Sequence, residues 1–294
     1  MLNAEAMTGR RGWRFQDGVA VAGLVALAIF ATQGVWSEIF RFALRNEEQS
    51  HIFLAIPAAV LLVWARRSRL RRMRPRPWLG GPMIVAGGWA LATYGYAAAY
   101  DLFLHAGALL IVIGAGLSVI GFQGLKNFAP ALAVLLFLLP IPGRVRLQIS
   151  IPLQEATAAS YKWFLDLFAV PVTQAGNLLT INGTDVAVAE ACNGMRMVAA
   201  LALVSYVFVF LVPMRWWVRL LILALSPALA LVANILRLVP TVLMYGYSSL
   251  DAADVFHDWS GWLMLAVAWG MLVGVLSVLK WLELPIAPYA VSEE

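Results

Sequence analysis

The chain has 294 residues but only one cysteine and three histidines. A single thiol cannot close an internal disulfide, which excludes a cross-linked extracellular scaffold, and one Cys with scattered His lacks metal-ligand spacing. Charge is equally scarce: 21 basic and 16 acidic residues make up 13% of the chain, about half the usual share. So few charges cannot cover a water-facing exterior of this length. Disorder is excluded as well, because 62% of the residues are hydrophobic, and disordered chains are poor in such residues. Repeats and low-complexity tracts do not stand out. What the chain does have is long apolar runs, and these describe a polytopic membrane protein.

A helix crossing the hydrocarbon needs about 20 largely apolar residues. Eight segments predict spans: 18–37, 51–65, 79–99, 102–121, 127–142, 193–213, 217–247 and 259–281. The second and fifth are short. The seventh is long and holds Pro227 and Pro240, which predict a kink or an interfacial extension. The first is expected to be retained rather than cleaved, since Glu38 follows it in place of a small-residue cleavage site.

The net charge of +5 is concentrated. Arg66, Arg67, Arg69, Arg71, Arg72, Arg74 and Arg76 fall within eleven positions between two apolar runs. Such a block reads as a cytoplasmic topology signal rather than a nucleic-acid patch. Arg10, Arg11 and Arg14 place the N-terminus on the same side, and Lys126, Arg215 and Arg219 return there. Asp101, Asp185, Glu190, Asp251, Asp254 and Asp258 fall outside. The reading is eight spans with both termini cytoplasmic, and its one conflict is Arg144 and Arg146, which it puts outside. The outer segment 143–192 mixes Gln154, Glu155, Lys162 and Asp166 into an apolar pattern and then runs through NLLTINGTDVAV. This predicts an amphipathic helix at the outer interface followed by a short extended stretch. The expected fold is an all-α bundle of about eight transmembrane helices with that outer-face helix, a single domain over 1–294 with no added soluble domain.

Polar groups in or beside spans are costly, so chemistry is sought there. Cys192 starts the sixth span, Arg237 lies in the seventh, and His257 closes the last outer loop just before the eighth. Arg237 is eighteen residues beyond Arg219, roughly 27 Å at about 1.5 Å per residue, which brings it near the outer boundary. A thiol, a fixed cation and an imidazole thus share one depth. A thiol at a helix start near a cation becomes a nucleophilic thiolate. An imidazole moves protons near neutral pH, and a guanidinium holds a carbonyl or an oxyanion. Together they describe acyl transfer through a thioester. Each residue alone has an ordinary reading: a buried apolar thiol, an arginine snorkelling to the interface, a loop histidine capping the next helix. It is their coincidence that points to chemistry. His51 also falls at the outer side and could line the site, whereas His105, just past Asp101, is expected to face the headgroups. Arg196, one turn after Cys192, either lowers the thiol pKa further or contacts lipid phosphate.

These residues resemble the exosortase/archaeosortase family of membrane cysteine transpeptidases. EQSHIFLAIPAAVLLVWARRSRL is similar to the family's early Ser-His segment with its basic turn, and FLLPIPGRVRLQISIPLQ to the Pro-rich stretch before the outer helix. VAEACNGMR, NILRLVPT and FHDWSGW are similar to its Cys, Arg and His motifs. The resemblance implies Cys192 as nucleophile, Arg237 as the substrate or transition-state cation and His257 as acid/base. Asn193, Gly194, Arg196, Asn234, Asp258 and His51 are candidate supporting residues, alongside Glu190. The commoner family pattern is Cys-Ser-Gly; here Cys192 is followed by Asn193 and Gly194, and the Asn keeps a polar side chain able to donate to an oxyanion.

The implied substrates are exported proteins carrying a C-terminal sorting signal: a short motif, often Pro-Glu-Pro, then a transmembrane helix and a basic tail. The implied place is the inner membrane of a prokaryote, with the reaction at the outer face, no cofactor and no nucleic acid. The rival reading is a transporter or channel using Arg237 and His257 in an anion or proton pathway. Such proteins usually hold ionisable groups near the midplane and often show internal repeats. A non-catalytic assembly scaffold is a third reading.

Overall fold

The computed structural model describes residues 13–187 and 194–284. They form two compact units, one built from 13–45 and 52–140, the other from 46–51 and 141–284. Helix dominates both, and each of the eight predicted spans contains helix. By length and composition, three described helices are long and apolar enough to cross a membrane: Asp101–Ile120, Trp216–Tyr247 and Leu250–Trp281. The number reaches five when bent helix pairs are each taken as one span.

The first unit opens with α1 (Phe15–Ala31) and α2 (Gln33–Arg45), which meet at a bend of 73°. The predicted span 18–37 is therefore broken. Thr32 Oγ1 donates to the Ala28 carbonyl at 2.7 Å and accepts from Trp36 Nε1 at 2.8 Å. This local bonding competes with helix continuation, and Ser37, Glu38, Arg41 and Arg45 then make α2 too polar to prolong an apolar run. Next come α3 (Ile52–Ala65), the basic α4 (Arg67–Arg72), α5 (Gly80–Ala97), α6 (Asp101–Ile120) and α7 (Phe122–Ala133), which ends in a 3₁₀ stretch, Val134–Leu138.

α5 and α6 form a hairpin that is closed by glycine. A Cβ on Gly81 would lie 2.4 Å from Ser118 N, one on Gly88 2.8 Å from Gly107 O, and one on Gly95 2.4 Å from Leu104 N. From the other side, Gly107 would meet Gly88 O at 2.5 Å and Gly114 would meet Val85 N at 2.8 Å. Small residues let backbones approach where lipid offers no hydrophobic drive to helix pairing. The seven-residue spacing of Gly81, Gly88 and Gly95, and of Gly107 and Gly114, is the sequence signal of this seam. His105 sits near the start of α6 and is 4% exposed, its Nε2 3.8 Å from Glu38 Oε1. It does not face headgroups, because α2 packs across it. Gly121 links α6 to α7 with φ +82°, and a Cβ there would lie 2.3 Å from the Arg76 carbonyl oxygen, so only glycine fits.

The second unit begins with a 3₁₀ turn, Glu47–Gln49, and continues with α8 (Gly143–Leu167). Arg146 Nη1 reaches Glu48 Oε2 at 2.8 Å, and Gln49 Oε1 accepts from Ile141 N at 3.4 Å. The topological conflict over Arg146 thus has a local answer, since its charge is matched by a carboxylate inside its own unit. α8 covers the segment expected to be an amphipathic helix: Ser150, Thr157, Ala158, Tyr161 and Leu165 form its buried stripe, and Leu147, Ile149, Ile151 and Trp163 are exposed alongside the Lys162–Asp166 pair.

The helical architecture is interrupted once among the described residues, by a small three-stranded antiparallel meander, β1 (Val172–Ala175), β2 (Leu178–Ile181) and β3 (Thr184–Ala187). The predicted extended stretch is its second hairpin, with Thr180 opposite Asp185. Asn182 and Gly183 both have positive φ, the turn chemistry an Asn-Gly pair favours. Leu179 and Ile181 point inward and pack with Ala158, Tyr161, Leu165, Leu238 and Val242. The remaining helices are α9 (Gly194–Leu211), α10 (Trp216–Tyr247) and α11 (Leu250–Trp281). They share a core that includes Leu201, Ile222, Ala233, Ala268 and Leu272. α10 runs as one helix through Pro227 and Pro240.

Candidate active site

α10 and α11 are joined by Ser248 and Ser249 alone, which makes them antiparallel neighbours. Ser249 caps α11 by accepting from Ala252 N at 3.3 Å, and Asp251 sits in the first turn. Both favour a helix N-terminus. The helix consequently begins nine residues before the predicted eighth span, and His257 lies within α11 rather than in a loop. Hydropathy trims polar helix ends, whereas capping extends this one.

Arg237 projects from α10 and is 8% exposed. Its Nε donates to Ser260 Oγ at 3.1 Å, and its Nη2 donates to the His257 carbonyl at 2.9 Å. The same Nη2 lies 3.1 Å from both His257 Nδ1 and His257 Nε2, so neither ring nitrogen is singled out as its acceptor. Ser260 Oγ in turn donates to the His257 carbonyl at 3.0 Å. Arginine and histidine, twenty residues apart in sequence, thus form one buried cluster with Ser260 between them. The guanidinium of Arg237 is buried and bonded within the helix pair. Gly261 leaves room for it: a Cβ there would lie 3.5 Å from the guanidinium carbon.

One turn before Arg237, Asn234 is 1% exposed, and among the described residues its Oδ1 has no hydrogen-bond partner. Its backbone carbonyl accepts from Tyr161 OH at 3.5 Å, and Thr241 Oγ1 donates to the Arg237 carbonyl at 2.9 Å. The β-meander is tied to the same helix where Asn182 Nδ2 donates to the Gly246 carbonyl at 2.9 Å. The sheet and α8 therefore brace the stretch of α10 that carries the arginine.

The nucleophile candidate Cys192, with Asn193 and Glu190, lies outside the described residues; α9 begins at Gly194, two positions later. Arg196 is half-buried on the first turn of α9, and Asp258 falls within α11. His51 is buried, with Nδ1 3.3 Å from the Glu48 carbonyl, and the neighbouring Glu47–Gln49 turn packs on α9. Sequence reading overlooked Ser260 and Tyr161. Had α11 been drawn back to the Ser249 cap, Ser260 would have stood one turn from His257 on the same side.

No curated protein and no solved structure matches the chain. The sequence pattern of transmembrane exosortases matches residues 36–274, which include the Arg237–His257–Ser260 cluster and most of both units. The chain therefore belongs to the transmembrane exosortase family.

Proposed function

We propose that this chain is a cysteine transpeptidase that cleaves C-terminal sorting signals of exported proteins, with Cys192 as nucleophile, His257 as proton carrier and Arg237 as the cation facing the developing oxyanion. The observation that supports it most is the guanidinium of Arg237 buried against His257 and Ser260 across α10 and α11, in a chain of the exosortase family. A buried, preorganised cation costs little reorganisation when negative charge appears on a carbonyl oxygen, and this is where such groups are strongest.

His257 accepts the Cys192 thiol proton, and Sγ attacks the scissile carbonyl carbon. The tetrahedral oxyanion is held by Arg237. As it collapses the C–N bond breaks, the leaving amine takes the proton from His257, and a thioester remains. A second nucleophile, an amine or hydroxyl of an envelope acceptor or else water, loses its proton to His257 and attacks the thioester carbon; the sulfur departs and recovers that proton. Ser260 is a positioning residue that orients the guanidinium. Asn234, Asn193 and Arg196 are candidate donors or charges around the same centre, and His51 a candidate wall of it. The reading carries with it an inner-membrane enzyme whose cytoplasmic termini stand opposite an outer reaction face, acting on Pro-Glu-Pro-type signals followed by a helix and a basic tail.

The deciding experiment is to follow the size of a tail-bearing substrate in membranes containing the wild type or Cys192→Ala. Loss of the shortened product in the variant is expected, and normal processing would refute the proposal. Solute uptake into proteoliposomes that survives Cys192→Ala but is lost with Arg237→Ala would instead support a transporter.

A further inference from the structure

We propose a binding site for the phosphate of an anionic phospholipid headgroup in the first unit, between α4 and α7. An open groove of about 570 Å³ is lined there by Arg69, Arg72 and Lys126 with Ser68, Gln123 and Asn127, all exposed except the half-buried Asn127. Three cations and three neutral hydrogen-bonding side chains converge on it, and among the described residues none of its lining side chains is acidic. None of the three cations has a described carboxylate within ion-pair distance. Cations gathered on one groove raise the local positive potential, which favours an anion there over a neutral ligand. Arginine forks suit phosphate in particular, because two N–H groups can meet two oxygens.

Aromatic side chains indicate the source of that phosphate. Trp64 is exposed at the end of α3 and receives the Arg67 guanidinium 4.4 Å from its ring centroid. Trp78 packs on exposed Phe122, the first residue of α7, at 5.5 Å, and Trp13 Nε1 donates to the Leu70 carbonyl at 2.9 Å. Tryptophans grouped beside arginines mark the level where hydrocarbon meets headgroup. The groove therefore opens where lipid phosphates are concentrated, and basic pockets between helix ends at that level suit acidic headgroups. A topology signal needs only the number of arginines; it does not require a lysine and two amides from a helix some fifty residues later in the same groove. The site is independent of the catalytic reading.

The test uses the full chain in detergent, titrated at fixed ionic strength with phosphatidylglycerol, phosphatidylcholine of the same acyl chains, and inorganic phosphate, with native mass spectrometry as readout. Phosphatidylglycerol is expected to bind at least tenfold more tightly than either alternative. R69Q/R72Q should weaken it by about 25-fold, taking roughly fivefold per cation near the headgroup. R74Q/R76Q, which removes the same charge from the same block but lines none of the groove, should change it by less than about threefold, well short of the roughly 25-fold that two charges in headgroup contact would give. Equal losses in the two pairs would mean diffuse block charge and overturn the site. Equal binding of phosphatidylcholine, or of inorganic phosphate, would overturn the lipid assignment. Should R69Q/R72Q fail to accumulate, K126Q on the other helix is expected to lose about fivefold, and no loss there overturns the proposal.

Discussion

The α5–α6 hairpin and the α10–α11 hairpin solve the same problem with opposite materials. In the first, glycines on both helices bring backbone against backbone, with Gly88 and Gly107 facing each other's carbonyls. In the second, a guanidinium fills the space between helices and is bonded to the other side through Ser260 and His257. The first contact has no functional group to offer and tolerates no added volume. The second tolerates no lost donor, and its polar group is available to a reaction. Shape alone is enough to hold helices together in lipid. A buried arginine is therefore an expensive choice for packing and a sensible one for chemistry.

The comparison is broken most sharply by Gly107→Leu. Its added atoms would fall on Gly88 O and Ala92 N, at 2.5 and 2.6 Å from the first new carbon, and backbone cannot turn aside as a side chain can. A loss of about 3 kcal/mol or more is expected from such overpacking, read as reduced yield of monodisperse protein and a lower thermal midpoint in detergent. A wild-type midpoint would mean that the seam is not held by backbone approach. Next in size is Arg237→Leu, which removes the guanidinium's bonds to Ser260 Oγ and the His257 carbonyl but leaves those two bonded to each other; at about 1 kcal/mol per lost hydrogen bond in a membrane setting, roughly 2 kcal/mol at most is expected, together with loss of substrate processing. Should the variant be as stable as the wild type while processing is lost, the arginine serves reaction alone. Ser260→Ala is the mildest. It removes one bond to the guanidinium, so stability should fall by less than about 1 kcal/mol. Processing should slow about tenfold through kcat with KM little changed, as for a group that aims an interaction made in the transition state. An unchanged kcat would show that Ser260 merely fills space.

Much of this was legible in the residues themselves. Apolar length placed helix in each of eight segments, although the helices are more numerous, and the stretch NLLTINGTDVAV was readable as extended chain. What hydropathy could not see were features decided by local bonding or by partners far along the chain. Thr32 broke a run that looked continuous, because a hydroxyl bonded back into its own helix. His257 moved from loop to helix because Ser249 provided a cap, and His105 turned inward because Glu38 and α2 lie across from it. The site was partly readable for a different reason. A cation inside an apolar helix is conspicuous in any sequence, whereas a serine in a helix is common, and Ser260 gains meaning only once Arg237 is opposite it.

That pairing also sets how far the two helices can slide. An α-helix repeats its surface every turn, about 5.4 Å along the axis, so a slipped register usually finds similar neighbours. On α11, a slip of one turn would offer Arg237 the positions of Ala253 and Phe256, or of Gly261 and Met264, in place of His257 and Ser260. Neither alternative carries a side-chain hydroxyl or an imidazole. A four-residue slip would therefore cost the cation its hydroxyl partner and its imidazole neighbour together, and a pull on either helix is resisted by both contacts at once.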